Sequence, residues 1–237
     1  MEKPVLREDV LIEAMLDMYF LLSRGYPRRQ SLEVVAARRG LNKWEKLAVY
    51  HCIHPYEVIQ KVRRLTRCPP GGVYAVDGYN VIVSLVCVED GIPVLICPDG
   101  FVRDVMGGWK PRPEEALHPL IEYLEALERH LGGRPIVYLD SRVSRSGWLA
   151  SMIRREGFTA ATSKTTDKSI LVAAEQRGYT PITSDVVVLE RVGGCNYLTH
   201  YVLLRGALTV DTASLLSRGF DSLARLWGVS PPWLSGY

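Results

Sequence analysis

Two rhythms of apolar and polar residues divide the chain. Between residues 6 and 66 apolar positions recur at helical spacing, as Val10, Leu11, Ala14, Met15, Met18, Leu21 and Leu22 show. Gly25 ends that first helix, and Pro27 suits the first turn of the next, through SLEVVAARRG. Gly40 breaks it. Asn42 is placed to cap NKWEKLAVYHC, and Pro55 opens a further helix through Leu65. CPPGG at residues 68–72 reads as a linker. Beyond it the rhythm changes to short runs of Val, Ile and Leu. VYAVD, PIVYLD, FTAAT and TPITSD read as strands, with helices predicted over 113–131, 147–156, 166–177 and 211–227. Residues 81–88 and 93–97, joined by EDG, fit either a hairpin or a helix followed by a strand.

Strands alternating with helices predict an α/β fold. Its largely parallel, Rossmann-like sheet is flanked by helices and preceded by a small all-α module. The expected division is a basic helical module at 1–68 and an α/β domain at 73–237. AARRGLNKWEKLAVY is slightly similar to a helix-turn-helix. Short helical hairpins are common, however, and a module that packs on the body or offers RNA a basic surface is the preferred reading. The closing SPPWLSGY is either a docking peptide or a frayed terminus.

Composition narrows the class. Of 237 residues 47% are hydrophobic and 23% charged, enough for a sizeable core without disulfides. The 5 cysteines are scattered and never form C-x-x-C, so reduced, partly buried thiols are expected. HCIH at 51–54 is read as the close of a helix before Pro55, not as a metal cluster. MEKPVLREDV carries charges that a signal peptide lacks, and no apolar run is long enough to span a membrane. A soluble, cytoplasmic protein is therefore expected, and a homo-oligomer is compatible with the sequence. Up to Pro69 there are 13 Lys and Arg against 8 Asp and Glu, and beyond it 16 against 18. A basic front end on a slightly acidic body hints at a polyanionic partner, although solvated helix faces alone would give the same counts.

The candidate chemistry lies in acids. VYAVD, PIVYLD and TPITSD end on Asp77, Asp140 and Asp185, and Asp167 falls in the first turn of a predicted helix. Ligand sites in open α/β sheets lie beyond the carboxyl ends of the strands, so these acids converge if the strands are neighbours. Gathering carboxylates is costly, and Mg2+ or Mn2+ with oxygen ligands would offset the cost. Such an ion polarises a phosphoryl oxygen and activates a water. Each acid alone has a structural reading as a turn residue or helix cap.

VDGYN resembles the opening of NYN domains, a branch of the PIN-like nuclease superfamily. TTDKSILVAAEQRGYTPITSD resembles the second half of the same pattern, an acid-headed helix and then a strand running into Thr-Ser-Asp. The resemblance covers roughly residues 73–191. It implies a PIN-like sheet and a metal-dependent ribonuclease, with RNA, or single-stranded DNA, as partner. It assigns Asp77, Asp167 and Asp185 to the metal, Asp140 with them on a poorer match, and Asn80 and Thr183 to the lining of the site. The whole chain also resembles an uncharacterised, mostly archaeal family with an RGYPR-like stretch (here 24–28) and DGFVRD-like and DSRVSRSG-like stretches.

Two stretches depart from the NYN pattern. DSRVSRSG offers Ser144, Arg145 and Ser146 at a helix start, which suits a phosphate or equally a capped polar loop. PDGFVRDVMGGWKPR reads either as a substrate flap, with Arg103 on phosphate and Trp109 on a base, or as a hairpin loop with Arg103 paired to an acid. Lys168 or Arg145 would offset charge developing at the site, and Arg28, Arg29, Arg38 and Arg39 would hold the RNA backbone. The alternatives are a non-catalytic nucleic-acid-binding protein on the same scaffold, or a phosphatase or Toprim-like enzyme acting at DSRVSRSG.

Overall fold

A computed structural model describes residues 3–227; the tail SPPWLSGY lies outside the described residues. The front end is helical: α1 (Glu8–Ser23), α2 (Arg28–Arg39), α3 (Lys43–Cys52) and α4 (Tyr56–Leu65). Gly40 closes α2 in the left-handed conformation at φ 59°, which a side chain would strain. The Asn42 side chain accepts from the backbone N–H groups of Trp44 and Glu45, and Glu45 accepts from that of Asn42. This capping box is reinforced by Arg7, which forks onto the buried Glu45 carboxylate.

Next come β1 (Val73–Asp77), α5 (Gly78–Glu89), β2 (Val94–Ile96), β3 (Val102–Arg103), α6 (Pro113–Leu131), β4 (Arg134–Asp140), α7 (Ser146–Arg155) and β5 (Thr159–Ser163). The chain continues through α8 (Thr166–Arg177), β6 (Thr180–Ile182), α9 (Val186–Val192), α10 (Tyr197–Leu204), β7 (Thr209–Asp211) and α11 (Thr212–Trp227). The main sheet has the order β5-β4-β1-β6, with every pairing parallel. Side chains of β1 alternate across it. Tyr74 and Val76 join the large core under α5 and α6, while Ala75 meets Ile170 of α8 and Val188 of α9. The sheet is thus covered on both faces, as parallel sheets require.

The structure resolves what residues 81–97 left open. Residues 81–88 are helical, within α5, and the strand β2 follows. It pairs antiparallel with β3 and parallel with β7 in a second sheet, β3-β2-β7, that the sequence pattern does not announce. Leu95 and Cys97 at β2, with Leu215 and Leu216 of α11, share one core with α1, α2 and α3. The helical module is therefore packed onto the body, not strung from it.

Two expectations are corrected. The cysteines are not all free: Cys52 is joined to Cys97 and Cys68 to Cys195, leaving Cys87 buried and unpaired. Their partners lie 45 and 127 residues away, so only the folded chain brings them together. The stretch 68–72 is likewise no loose linker, since Gly71 donates to the Leu131 carbonyl and the preceding Arg67 to that of Gly194. Among the described residues no helix is long and apolar enough to cross a membrane.

Candidate functional site

Asp77 ends the central strand β1, with β4 on one side and β6 on the other. A Cβ on the next residue, Gly78, would stand 2.5 Å from Leu139 Cδ2 and 3.0 Å from the Tyr138 carbonyl. The missing side chain lets α5 start hard against β4 and buries Asp77 at its own strand end. Asp77 is only 8% exposed.

A short network holds that carboxylate. Thr183 Oγ1 donates to Asp77 Oδ2 at 3.0 Å and accepts from the Asp185 backbone N–H at 3.1 Å. Asn80 Oδ1 accepts from the Ser184 backbone N–H at 2.9 Å and from its hydroxyl at 2.8 Å. The Asn80 side chain therefore ties α5 to the loop after β6, and its backbone N–H, after the Thr183 hydroxyl, also stabilises the Asp77 charge. Burial pushes Asp77 up to about 7, helped by repulsion from Asp167 and Asp185 and opposed by Thr183.

The other acids differ from one another. Asp167, in the first turn of α8, is raised by burial and by Asp185 and Asp140, against the pull of Arg142. Asp185 does not end a strand, because β6 stops at Ile182; it caps α9 by accepting from the Val187 N–H at 2.8 Å. Pairing with β1 runs only to Val76 opposite Ile182, and the residues beyond turn to bond Asp77 and Asn80. Asp140 does end β4, yet Arg142 folds back on it, with Nη2 2.6 Å from Oδ2. That guanidinium holds Asp140 below the ordinary carboxylate range. The four carboxylates thus share one electrostatic field at the carboxyl edge. Among the described residues, however, no group of three or more His, Cys, Asp or Glu stands where it could hold a metal ion. Asp77, Asp167 and Asp185 suit a hard divalent cation by donor type and by the repulsion among them. Asp140 does not, since Arg142 already neutralises it.

The predicted phosphate-binding groups are mostly engaged elsewhere. Arg103 is buried and forks onto Asp99 at 2.9 and 2.6 Å, and its Nε donates to the Ser184 carbonyl at 3.0 Å. The hairpin reading of its loop holds, and Arg103 buttresses the site from behind. Arg145 pairs with Glu114 at 2.5 Å and stacks on Trp148, Ser146 is buried at the start of α7, and Ser144 is exposed. Lys168 lines a separate hollow with Tyr138 and Arg177. Arg39 pairs with Glu13 and Asp17 of α1, Arg38 approaches Asp17 at 3.9 Å, and Arg29 is exposed. Arg28 faces inward, toward a cavity that Asp185 also lines. His51, His54 and Asp104 line that cavity too. The sequence reading passed over these three, and HCIH, set aside as a helix end, was the available signal.

Fold and crevice together define an α/β protein with acids at the carboxyl edge of its parallel sheet: Asp77 buried, Asp140 and Asp185 half-buried, and Asp167 exposed. The chain belongs to the family described as a domain of unknown function, DUF5616, which matches residues 71–201. Residues 10–64, the helical module, match a protein of unknown function, DUF434. An uncharacterized protein of Methanocaldococcus jannaschii is 31% identical over 153 residues, covering 61% of this chain and 71% of that protein. No solved structure matches the chain.

Proposed function

We propose that this protein is a metal-dependent hydrolase of phosphodiesters, acting on RNA with Mg2+ or Mn2+ at Asp77, Asp167 and Asp185. One observation carries the reading. Asp77 is a buried carboxylate at the end of the central strand, pushed up to about 7 with two further acids repelling it. A fold that keeps such a group at a strand end maintains a cost that a bound cation would remove. The NYN resemblance of VDGYN and TTDKSILVAAEQRGYTPITSD supports the same assignment. When bound, the ion would supply a Lewis acid and a more acidic water. Thr183 orients one Asp77 oxygen toward the site. The cytoplasm is the proposed location.

A second reading has its own support. Asp140 is locked by Arg142, and the described acids form no ready metal-binding group. Both features fit a scaffold that binds nucleic acid without cutting it. The deciding experiment is cleavage of labelled single-stranded RNA with Mn2+ by wild type and by the D77N/D185N double variant, with circular dichroism on both. The hydrolase reading expects metal-dependent cleavage that the folded double variant lacks. Cleavage by the double variant places the chemistry elsewhere. RNA binding by wild type without cleavage selects the second reading.

A further inference from the structure

Between the helical module and the sheet, beside the acidic crevice, lies a cavity of about 420 Å³. One wall is Arg28 of α2 with His51 and His54 of the α3 end; the other is Asn80, Ser184 and Asp185. Asp185 therefore serves both crevice and cavity.

The helical wall is built around a cation. Arg28 Nη1 donates to the Ile53 carbonyl at 2.8 Å and Nη2 to the Tyr50 carbonyl, and the guanidinium lies 4.7 Å from the centre of the Tyr50 ring. His54 Nδ1 lies 2.9 Å from Arg28 Nη1 and its Nε2 3.1 Å from the His51 carbonyl. Those contacts assign His54 a neutral ring that accepts from Arg28 and donates to His51. Burial and the charges of Arg28 and Arg103 push it down to about 3, so it stays neutral. His51 is also lowered, first by burial, and among the described residues its ring makes no hydrogen bond. Among the described residues no carboxylate forms an ion pair with Arg28; burial lowers its pKa, Tyr50 opposes that, and Arg103 adds to it. Asp99 is committed to Arg103, and Asp104 accepts from the Met106 N–H at 2.7 Å. A withdrawn cation whose contacts are carbonyls, an imidazole and the Tyr50 side chain has no carboxylate counter-charge, which a bound anion would supply.

We propose that this cavity seats one phosphate group of the substrate, held by Arg28 and His51 on the helical wall and turned toward a divalent cation at Asp185 on the other. The second wall rests on the hydrolase reading; the first does not. Asp104 and Asp185 would repel a lone phosphate at their end, so a divalent cation between them and the anion should tighten binding. The helical module then has a part at the site, since it supplies the phosphate contacts while the sheet supplies the acids.

The test is titration of the full chain with inorganic phosphate, with and without Mg2+, followed by the imidazole signals of His51 and His54 in NMR. Saturable shifts of both are expected, with tighter binding in Mg2+. R28Q should weaken phosphate binding roughly tenfold or more, as loss of a charged hydrogen-bonding partner does. H51Q should weaken it less, and it decides the matter if R28Q fails to fold. No saturable shift at either histidine, or wild-type binding by H51Q together with any folded R28Q, overturns the seat. Binding that Mg2+ leaves unchanged overturns the facing cation. If phosphate leaves both histidines unmoved while D77N/D185N still abolishes RNA cleavage, the seat falls and the hydrolase reading stands. If binding depends on Arg28 in a protein that cleaves nothing, the seat stands without it.

Discussion

At the scale of the residue, Asp77 links stability to function. Its folded pKa, about 7, lies above the ordinary 3.8, so the folded state holds the proton more tightly than the unfolded chain. The stabilisation from that proton is full below the ordinary pKa and is lost as pH rises through about 7. Wild type should therefore lose stability, on the order of a few kcal/mol from this group, between about pH 4 and pH 8. D77N should flatten that slope in thermal melts across the range. If a divalent cation occupies the site, Mg2+ or Mn2+ should raise Tm more at pH 8 than at pH 5, because only the ionised carboxylate attracts it. An equal effect at both pH values would remove Asp77 from the cation site. Arg103 and Asp99, with side chains 5% and 1% exposed, form the buried pair behind the crevice. Truncating one partner, as in D99A, should cost about 3–5 kcal/mol in urea unfolding, because it strands the Arg103 charge. The same change should loosen Ser184, whose carbonyl Arg103 holds.

At the scale of the element, α5 shows how burial chooses between readings. Residues 81–88 are rich in Val and Ile and apolar apart from Ser84, so neither periodicity stands out. As α5 the segment is buried on nearly every side, under β1, β4 and α6. A helix apolar all round reads from sequence much like a buried strand. Its entry is controlled by Gly78, whose φ is ordinary and whose requirement is space. G78A should cost about 1–3 kcal/mol through overpacking against Leu139 and the Tyr138 carbonyl. Chemical denaturation measures that cost, and a neutral result would mean that β4 yields freely. In contrast, the ends of α2 and α3 were legible, because Gly40, Asn42 and Glu45 act within a few residues of one another.

At the scale of the molecule, the helical module and the body are one packed unit with covalent ties. Cys52–Cys97 links α3 to the end of β2, and Cys68–Cys195 links the stretch before β1 to the loop before α10. A disulfide typically contributes about 2–4 kcal/mol of stabilisation. Reductant should therefore lower Tm clearly, and C52A and C68A should each reproduce part of the loss. A Tm indifferent to reductant would show that the shared core of α1, α3, β2 and α11 holds the module alone. The cavity behind Arg28 lies at this same junction, so loosening the module should weaken phosphate binding as well.

The sequence by itself determined the local grammar: the helix stops at Gly25 and Gly40, the cap at Asn42, the strands VYAVD and PIVYLD, and a largely parallel α/β body. Those features depend on contacts a few residues apart or on one periodic face. It also marked the acids, because a carboxylate after an apolar run is visible without neighbours. Only the tertiary structure decided which acids remain unpaired. Arg142 takes Asp140, Asp99 takes Arg103, and Glu114 takes Arg145, while Arg28 is turned inward beside two histidines. The cysteine pairs and the second sheet belong to the same class. The Arg142 and Arg103 partners lie close in sequence, yet each depends on where a loop folds back. Arg28 meets Tyr50 across 22 residues, and Cys68 meets Cys195 across 127. A side chain's partner is chosen by packing, and packing is a property of the whole fold.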